Sequence, residues 1–169
     1  MNKTLWTMGA LVVMLLSACG GQNETKPADA AQASAATSAA PAGSANASVA
    51  ERERLMDIFK DASGTMGKMI KGETPFDAAA FQAAADTMAE NADKPWQHYT
   101  EESAKESPDA KPEVWSKHEE FKQAAEKFVA ATAALKTAAA EGNLDAVKKP
   151  FGEVGQSCKA CHDSFRVED

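Results

Sequence analysis

The chain has 169 residues, a formal net charge of −7 and an ordinary apolar share of 44%. That leaves room for one small domain with a real core, and the acidic balance argues against nucleic acid or anionic lipid surfaces as partners. Three cysteines are too few, and odd in number, for a disulfide framework.

Residues 1–18 open with a short polar stretch carrying Lys3, continue through an apolar run from Leu5 to Leu16, and end on Ser17 and Ala18. This is the layout of a cleaved export signal, and the apolar run is too short to span a bilayer comfortably. Leu16-Ser17-Ala18-Cys19 resembles the bacterial lipobox. The resemblance implies that Cys19 is acylated and heads the mature chain, which would hold the protein on the periplasmic side of the envelope by a lipid anchor. Gly20 in place of an aspartate favours the outer over the inner membrane. Residues 19–48 are rich in Ala, Ser, Thr, Pro and Gly with scarcely a large aliphatic side chain, so nothing drives burial and a disordered tether is expected. A coil of about thirty residues would hold the following domain, 49–169, roughly 30 Å from its anchor.

Four helical patterns follow. Leu55, Phe59, Ala62, Met66 and Met69 are spaced 4, 3, 4, 3 before a stop at Gly72, the seam of a helix in an antiparallel bundle. Thr74-Pro75 turns the chain into a second helix from Ala79 to about Ala92, with Phe81, Ala84 and Met88 on one side. Residues 93–113 carry Pro95, Pro108 and Pro112 and read as a long connection. Trp96 and Tyr99 within it are too large and apolar to stand idle in solvent, so the connection is expected to cap a pocket. A third helix starts at Pro112 and keeps its seam through Val114, His118, Phe121, Ala125, Phe128, Thr132, Leu135 and Ala139. A fourth, from about Leu144 to Phe165, places Val147, Phe151, Val154, Cys158, Cys161 and Phe165 on one seam. Pro150 inside it predicts a kink or restart. Gly152 and Gly155 predict a backbone packed close to something flat or large, or to a neighbouring helix. With no strand-like alternation, the fold class is all-α: an antiparallel four-helix bundle.

Cys158-Lys159-Ala160-Cys161-His162 has the spacing of a covalent haem attachment site. On a helix Cys158, Cys161 and His162 stand at i, i+3 and i+4 and share one face, so two thiols can bond the porphyrin while the imidazole meets the iron. The alternatives for this stretch alone are a thiol redox pair and a zinc site completed by two histidines. A redox motif ordinarily follows a strand in a βαβ setting, which is missing here. A ligand on the far side of the iron must come from upstream, from Met56, Met66, Met69, Met88, His98 or His118. The two histidines are not favoured, and His118 is expected to be partly buried with a local partner.

Several further stretches extend the comparison: Arg52-x-x-x-Met56, Lys71-Gly72-Glu73 with Phe76-Asp77-Ala78-Ala79, Pro95-Trp96, Pro112-Glu113-Val114-Trp115-Ser116, Phe121 and Phe128. With Phe151-Gly152-x-Val154-Gly155-x-x-Cys158-x-x-Cys161-His162-x-x-Phe165-Arg166, they make the chain from about Ala50 to Arg166 resemble the class II c-type cytochromes, most closely cytochrome c′. The resemblance implies one covalent haem c bonded through Cys158 and Cys161, with His162 as axial iron ligand. It also implies a five-coordinate iron with an apolar distal side that takes nitric oxide or carbon monoxide. Arg52 falls where the family sets an arginine near a haem propionate, Met56 and Phe59 where it fills the distal side, and Trp96 and Phe128 where the porphyrin packs. Relatives are often dimers through the first two helices.

Arg166, four residues after His162, lies over the same face. A guanidinium has only donors, so it cannot take the imidazole's proton and strengthen the iron bond. Two functional classes therefore stand: a gas-binding haem protein contributing to nitric oxide tolerance, and a six-coordinate His/Met electron-transfer cytochrome of the c-556 type with Met56 as ligand. Either needs an electron donor that the sequence does not name. No carboxylate pair or nucleophile-base arrangement supports catalysis in the strict sense.

Overall fold

The computed structural model describes residues 42–168. The export signal, Cys19 and most of the tether therefore lie outside the described residues. The first helix, α1, spans Ala42–Ile70, so it reaches back into the stretch expected to be tether. Alanine is the strongest helix former, and extending an existing helix is far easier than nucleating one, so this Ala-rich segment continues the turn begun by the seam behind it. All five seam residues, Leu55, Phe59, Ala62, Met66 and Met69, are buried. The helix stops as expected at Gly72, whose φ of 73° places it in the left-handed region that glycine enters freely.

The second helix, α2, spans Ala78–Asn91 and is capped by Asp77, whose carboxylate accepts the Ala80 N–H at 3.0 Å. Its buried residues are Phe81, Ala85 and Met88. Ala84, expected on this seam, is only partly buried, because the 4, 3 step used elsewhere in the bundle selects Ala85 instead.

The long connection is more ordered than expected. It contains two short 3-10 turns, Pro95–His98 and Glu102–Glu106, and the expected third helix is divided in two. One turn, α3, covers Glu113–Ser116, Lys117 leaves the helical region at φ −120° and ψ 46°, and α4 runs His118–Ala139. Trp115 donates its indole N–H to the Thr100 carbonyl at 3.0 Å, pinning α3 to the connection rather than to the axis of α4. The break adds no residue, so buried positions resume in register at Phe121 while His118 falls out of the seam. His118, expected to be partly buried, is exposed beside Glu119.

The last helix, α5, spans Leu144–Phe165, with the Asn143 side chain accepting the Asp145 N–H at 2.8 Å as its N-cap. Pro150 lies inside it without a restart. The four long helices form an antiparallel bundle in which α1 packs on α2, α2 on α4, and α4 most extensively on α5. α1 also leans on both 3-10 turns. The α1–α5 edge is the loosely joined one, bridged by side chains such as Phe151, whose ring would meet a Cβ added at Gly67 at 3.6 Å. The main core gathers Phe59, Met66, Phe81, Met88, Phe128, Leu135, Val147 and Val154, each contributing roughly 1.5–3 kcal/mol by leaving water. A second cluster, Val114, Phe121 and Phe165, forms at the end where the Cys158–His162 segment lies. No helix among the described residues is long and apolar enough to cross a membrane.

Candidate functional site: the α5 cysteine pair and the wall around it

The two cysteines of α5 stand one turn apart, both partly buried and neither in a disulfide. Cys158 packs against the main core and Cys161 against the second cluster, so the pair straddles the boundary between them. Burial raises both thiol pKa values, that of Cys161 to about 11 with Cys158 adding to the effect. A redox-active thiol needs the opposite shift, so the pair is not poised for thiol exchange. Among the described residues no group of three or more His, Cys, Asp and Glu is placed to hold a metal ion.

His162 follows in the last turn of α5, exposed at the protein surface. Neighbouring protein mass, and then the positive charge of Arg166, hold its imidazole below the usual pKa, with Asp163 acting the other way. Arg166 is where the sequence puts it, caps α5 through its N–H to the His162 carbonyl at 2.9 Å, and then turns to extended backbone at φ −103°. The space before the motif is open. A Cβ added at Gly152 or Gly155 would meet nothing within 4 Å, so the tight helix contact considered for these glycines does not exist.

Facing this segment is an apolar wall from three elements. Phe59 of α1 lies 5.0 Å from Phe128 of α4, centroid to centroid, and Met56, one turn before Phe59, packs partly buried against the same core. Trp96, on the first 3-10 turn, meets Phe128 at 6.1 Å and Phe121 at 5.8 Å, both edge-on. It touches both clusters. Its one donor is already used, since the indole N–H bonds the Ala92 carbonyl at 2.7 Å.

Arg52 is buried, with 5% of its surface exposed. Nη1 donates to the His98 carbonyl and to Ser103 Oγ, both at 3.2 Å, and Nη2 donates to Ser107 Oγ. Every one of these acceptors is neutral, and burial lowers the guanidinium pKa. Three of its five N–H donors are used. Nε and the second proton of Nη2 form the fork edge that grips a carboxylate in two bonds. A buried cation with that edge left over, beside an apolar wall and a partly buried cysteine pair, fits a flat apolar group that carries carboxylates.

The sequence names Cys158, Cys161, His162, Arg52, Met56, Phe59, Trp96, Phe128 and Arg166 as site candidates, and in the fold Cys158, Met56, Phe59, Trp96 and Phe128 pack on one core cluster, with Trp96 and Cys161 also packing on the second. Ser103 and Ser107 were missed. The Ser107-Pro108 pair signals a turn, but nothing in the pattern says that these two hydroxyls are buried.

Comparison with known proteins decides what this arrangement is. The family model described as Cytochrome C′ matches residues 47–166. The chain belongs to the cytochrome c′ family. It is 36% identical to cytochrome c′ of Alcaligenes xylosoxydans xylosoxydans over 115 residues, 68% of this chain and 89% of that one. It is 30% identical to a cytochrome c-556 of Agrobacterium tumefaciens (strain B2A) over 120 residues, 71% and 97% of the two chains. Among solved structures, a nitric oxide complex of a cytochrome c′ variant from Alcaligenes xylosoxidans superposes with a TM-score of 0.70 at 33% identity, covering 74% of this chain and 97% of that one. Cytochrome c′ from Rubrivivax gelatinosus gives 0.68 at 30% identity, covering 71% and 94%. Members of the cytochrome c′ family carry one covalently attached haem c, and the residues at this end of the bundle fit that group.

Proposed function

We propose that the protein is a gas-binding haem c protein of the cell envelope, whose iron takes nitric oxide or carbon monoxide on an apolar distal side. Cys158 and Cys161 would carry the thioether bonds, His162 would ligate the iron, and the fork of Arg52 would hold a propionate. The haem supplies an iron able to bind small uncharged gases; the chain decides which gases find support there.

The observation that carries this reading is the state of the donors around the wall. Met56, Phe59 and Phe128 have no N–H or O–H to offer, the Trp96 indole is bonded to Ala92, and three Arg52 donors are bonded to the connection. Dioxygen depends on a hydrogen-bond donor in the distal pocket for stable binding, whereas nitric oxide and carbon monoxide bind without one. On the other side, Arg166 offers His162 no acceptor for its ring proton, so the imidazole stays a neutral and comparatively weak ligand.

One observation favours a second reading. Met56 lies on the core side of α1, and the chain is also similar to cytochromes c-556. In that reading the Met56 sulfur closes the site and the protein transfers electrons. Visible absorption and EPR spectra, oxidised and reduced, with and without nitric oxide, separate the two. A high-spin ferrous protein that takes up gas without displacing a methionine agrees with the proposal, and a low-spin His/Met spectrum overturns it. The envelope location rests on the signal pattern and Cys19. It is tested by metabolic labelling with a fatty acid, which Cys19→Ala must abolish.

A further inference from the structure

The connection between α2 and α4 is tied down at two places to different helices. Over residues 98–107, the His98 carbonyl, Ser103 Oγ and Ser107 Oγ accept from Arg52 of α1, and the Tyr99 ring lies under the same guanidinium at 4.2 Å. Ser103 Oγ in turn donates to the backbone, with the Thr100 carbonyl at 2.8 Å, and Ser107 Oγ donates to the Ser103 carbonyl. Near its end, the Lys111 N–H donates to the Phe165 carbonyl and the Val167 N–H to the Asp109 carbonyl, each at 2.9 Å. Together they make a two-strand bridge of Ala110 against Arg166. Lys111 Nζ adds a bond to the Asp163 carbonyl at 2.9 Å.

These two anchorages lie on α1 and just past the end of α5, the helices that meet at the loosely joined edge of the bundle. The segment is therefore a strap across that edge. It also carries Trp96, whose turn ends at the very carbonyl, His98, that Arg52 holds. We propose that Ser103 and Ser107 are positioning residues: through Arg52 they fasten this strap, fix Trp96 against the apolar wall, and so set how readily a gas reaches the iron. This rests on the haem site proposed above. The hydroxyls touch neither haem nor gas in this scheme, and they act by holding the guanidinium while its remaining fork edge stays available to a carboxylate.

The energetics support a fastening role. A hydrogen bond from a charged donor in a buried setting is worth more than a neutral one, and its loss leaves the donor unsatisfied. Losing two at once loosens residues 98–107 from α1 while the backbone pairing at Asp109 and Lys111 still holds the segment to α5.

The test uses the full-length holoprotein and the double substitution Ser103→Ala with Ser107→Ala. Carbon monoxide association with the ferrous form is expected to speed up by at least about tenfold, since the double variant removes two charge-assisted hydrogen bonds and even one is worth about that factor. Amide hydrogen exchange, which needs no bound gas, should rise at Ser103, Ala104 and Tyr99 and also at Lys111 and Val167, at the far anchorage. Ser107→Thr, which keeps a hydroxyl, should retain the wild-type rate. An unchanged association rate, exchange unaltered at Lys111 and Val167, or a threonine variant that behaves as the alanine one each overturn the strap. The spectrum of the unliganded ferrous wild type tests the five-coordinate reading separately. If Met56 lies on the iron, its departure also limits carbon monoxide uptake, so in that case the hydrogen exchange at Lys111 and Val167, not the rate ratio, reads the strap.

Discussion

The guanidinium carbon of Arg52 lies 4.2 Å from the centroid of the Tyr99 ring, a cation over an aromatic face at the junction of α1 with the connection. The same cation bonds three neutral acceptors of that connection. Arg52→Ala removes all of these contacts at once and is expected to lower the stability of the holoprotein by about 2–4 kcal/mol. Arg52→Lys keeps a charge but not the planar fork, so it should recover less than half of the loss. Urea denaturation followed by far-UV circular dichroism measures both.

Tyr99 is the single tyrosine of the chain, so its ionisation can be read without interference from another. Burial pushes its pKa above the usual 10, and the charge of Arg52 offsets part of that rise. A group whose pKa is higher folded than unfolded contributes stability that is complete below the unfolded value and is lost as pH rises through the folded one. Phenolate absorption in the ultraviolet should therefore appear above pH 10, with the urea midpoint falling over the same range. In Arg52→Ala the phenolate should appear later still, unless unfolding intervenes first. A normal titration near 10 in the wild type would show that Tyr99 is solvated.

Phe59 is buried against Phe128 at 5.0 Å on the wall facing α5. Phe59→Ala should cost about 3–5 kcal/mol through lost burial and the cavity left behind. The same cavity should admit carbon monoxide faster. Thermal unfolding and flash photolysis give the two readings, and a stability loss with an unchanged recombination rate would remove Phe59 from the distal wall.

Cys158 and Cys161 are both replaced by alanine in the decisive test of attachment. Acid acetone should strip all haem from the double variant and none from the wild type. Haem retained by the double variant would mean a different bonding site.

Much of the fold was legible because a bundle writes its packing as a 4, 3 repeat. The seam of α1 and its stop at Gly72 emerged as read, and so did the bounds of α5. The repeat was less informative where it has no term for direction. It runs unbroken from Val114 to Ala139, yet Lys117 interrupts the helix because Trp115 is bonded back to Thr100. Composition misled at residues 42–48, where alanine without an apolar face reads as tether but propagates a helix already nucleated downstream.

The candidate site divides in the same way. Cys158, Cys161 and His162 are local in sequence, so one helical turn is enough to place them on a common face, and the sequence by itself determined the cofactor chemistry and the all-α class. The surround is non-local. Arg52 meets His98, Ser103 and Ser107 across roughly fifty residues, and Lys111 meets Phe165 across as many. Such contacts carry no periodic signature, because a hydrogen bond between distant segments depends on where two chain directions cross and not on spacing along either. Only the tertiary structure decided that the connection is bonded both to Arg52 of the first helix and to the end of the last, and that a buried guanidinium lies at its junction with α1.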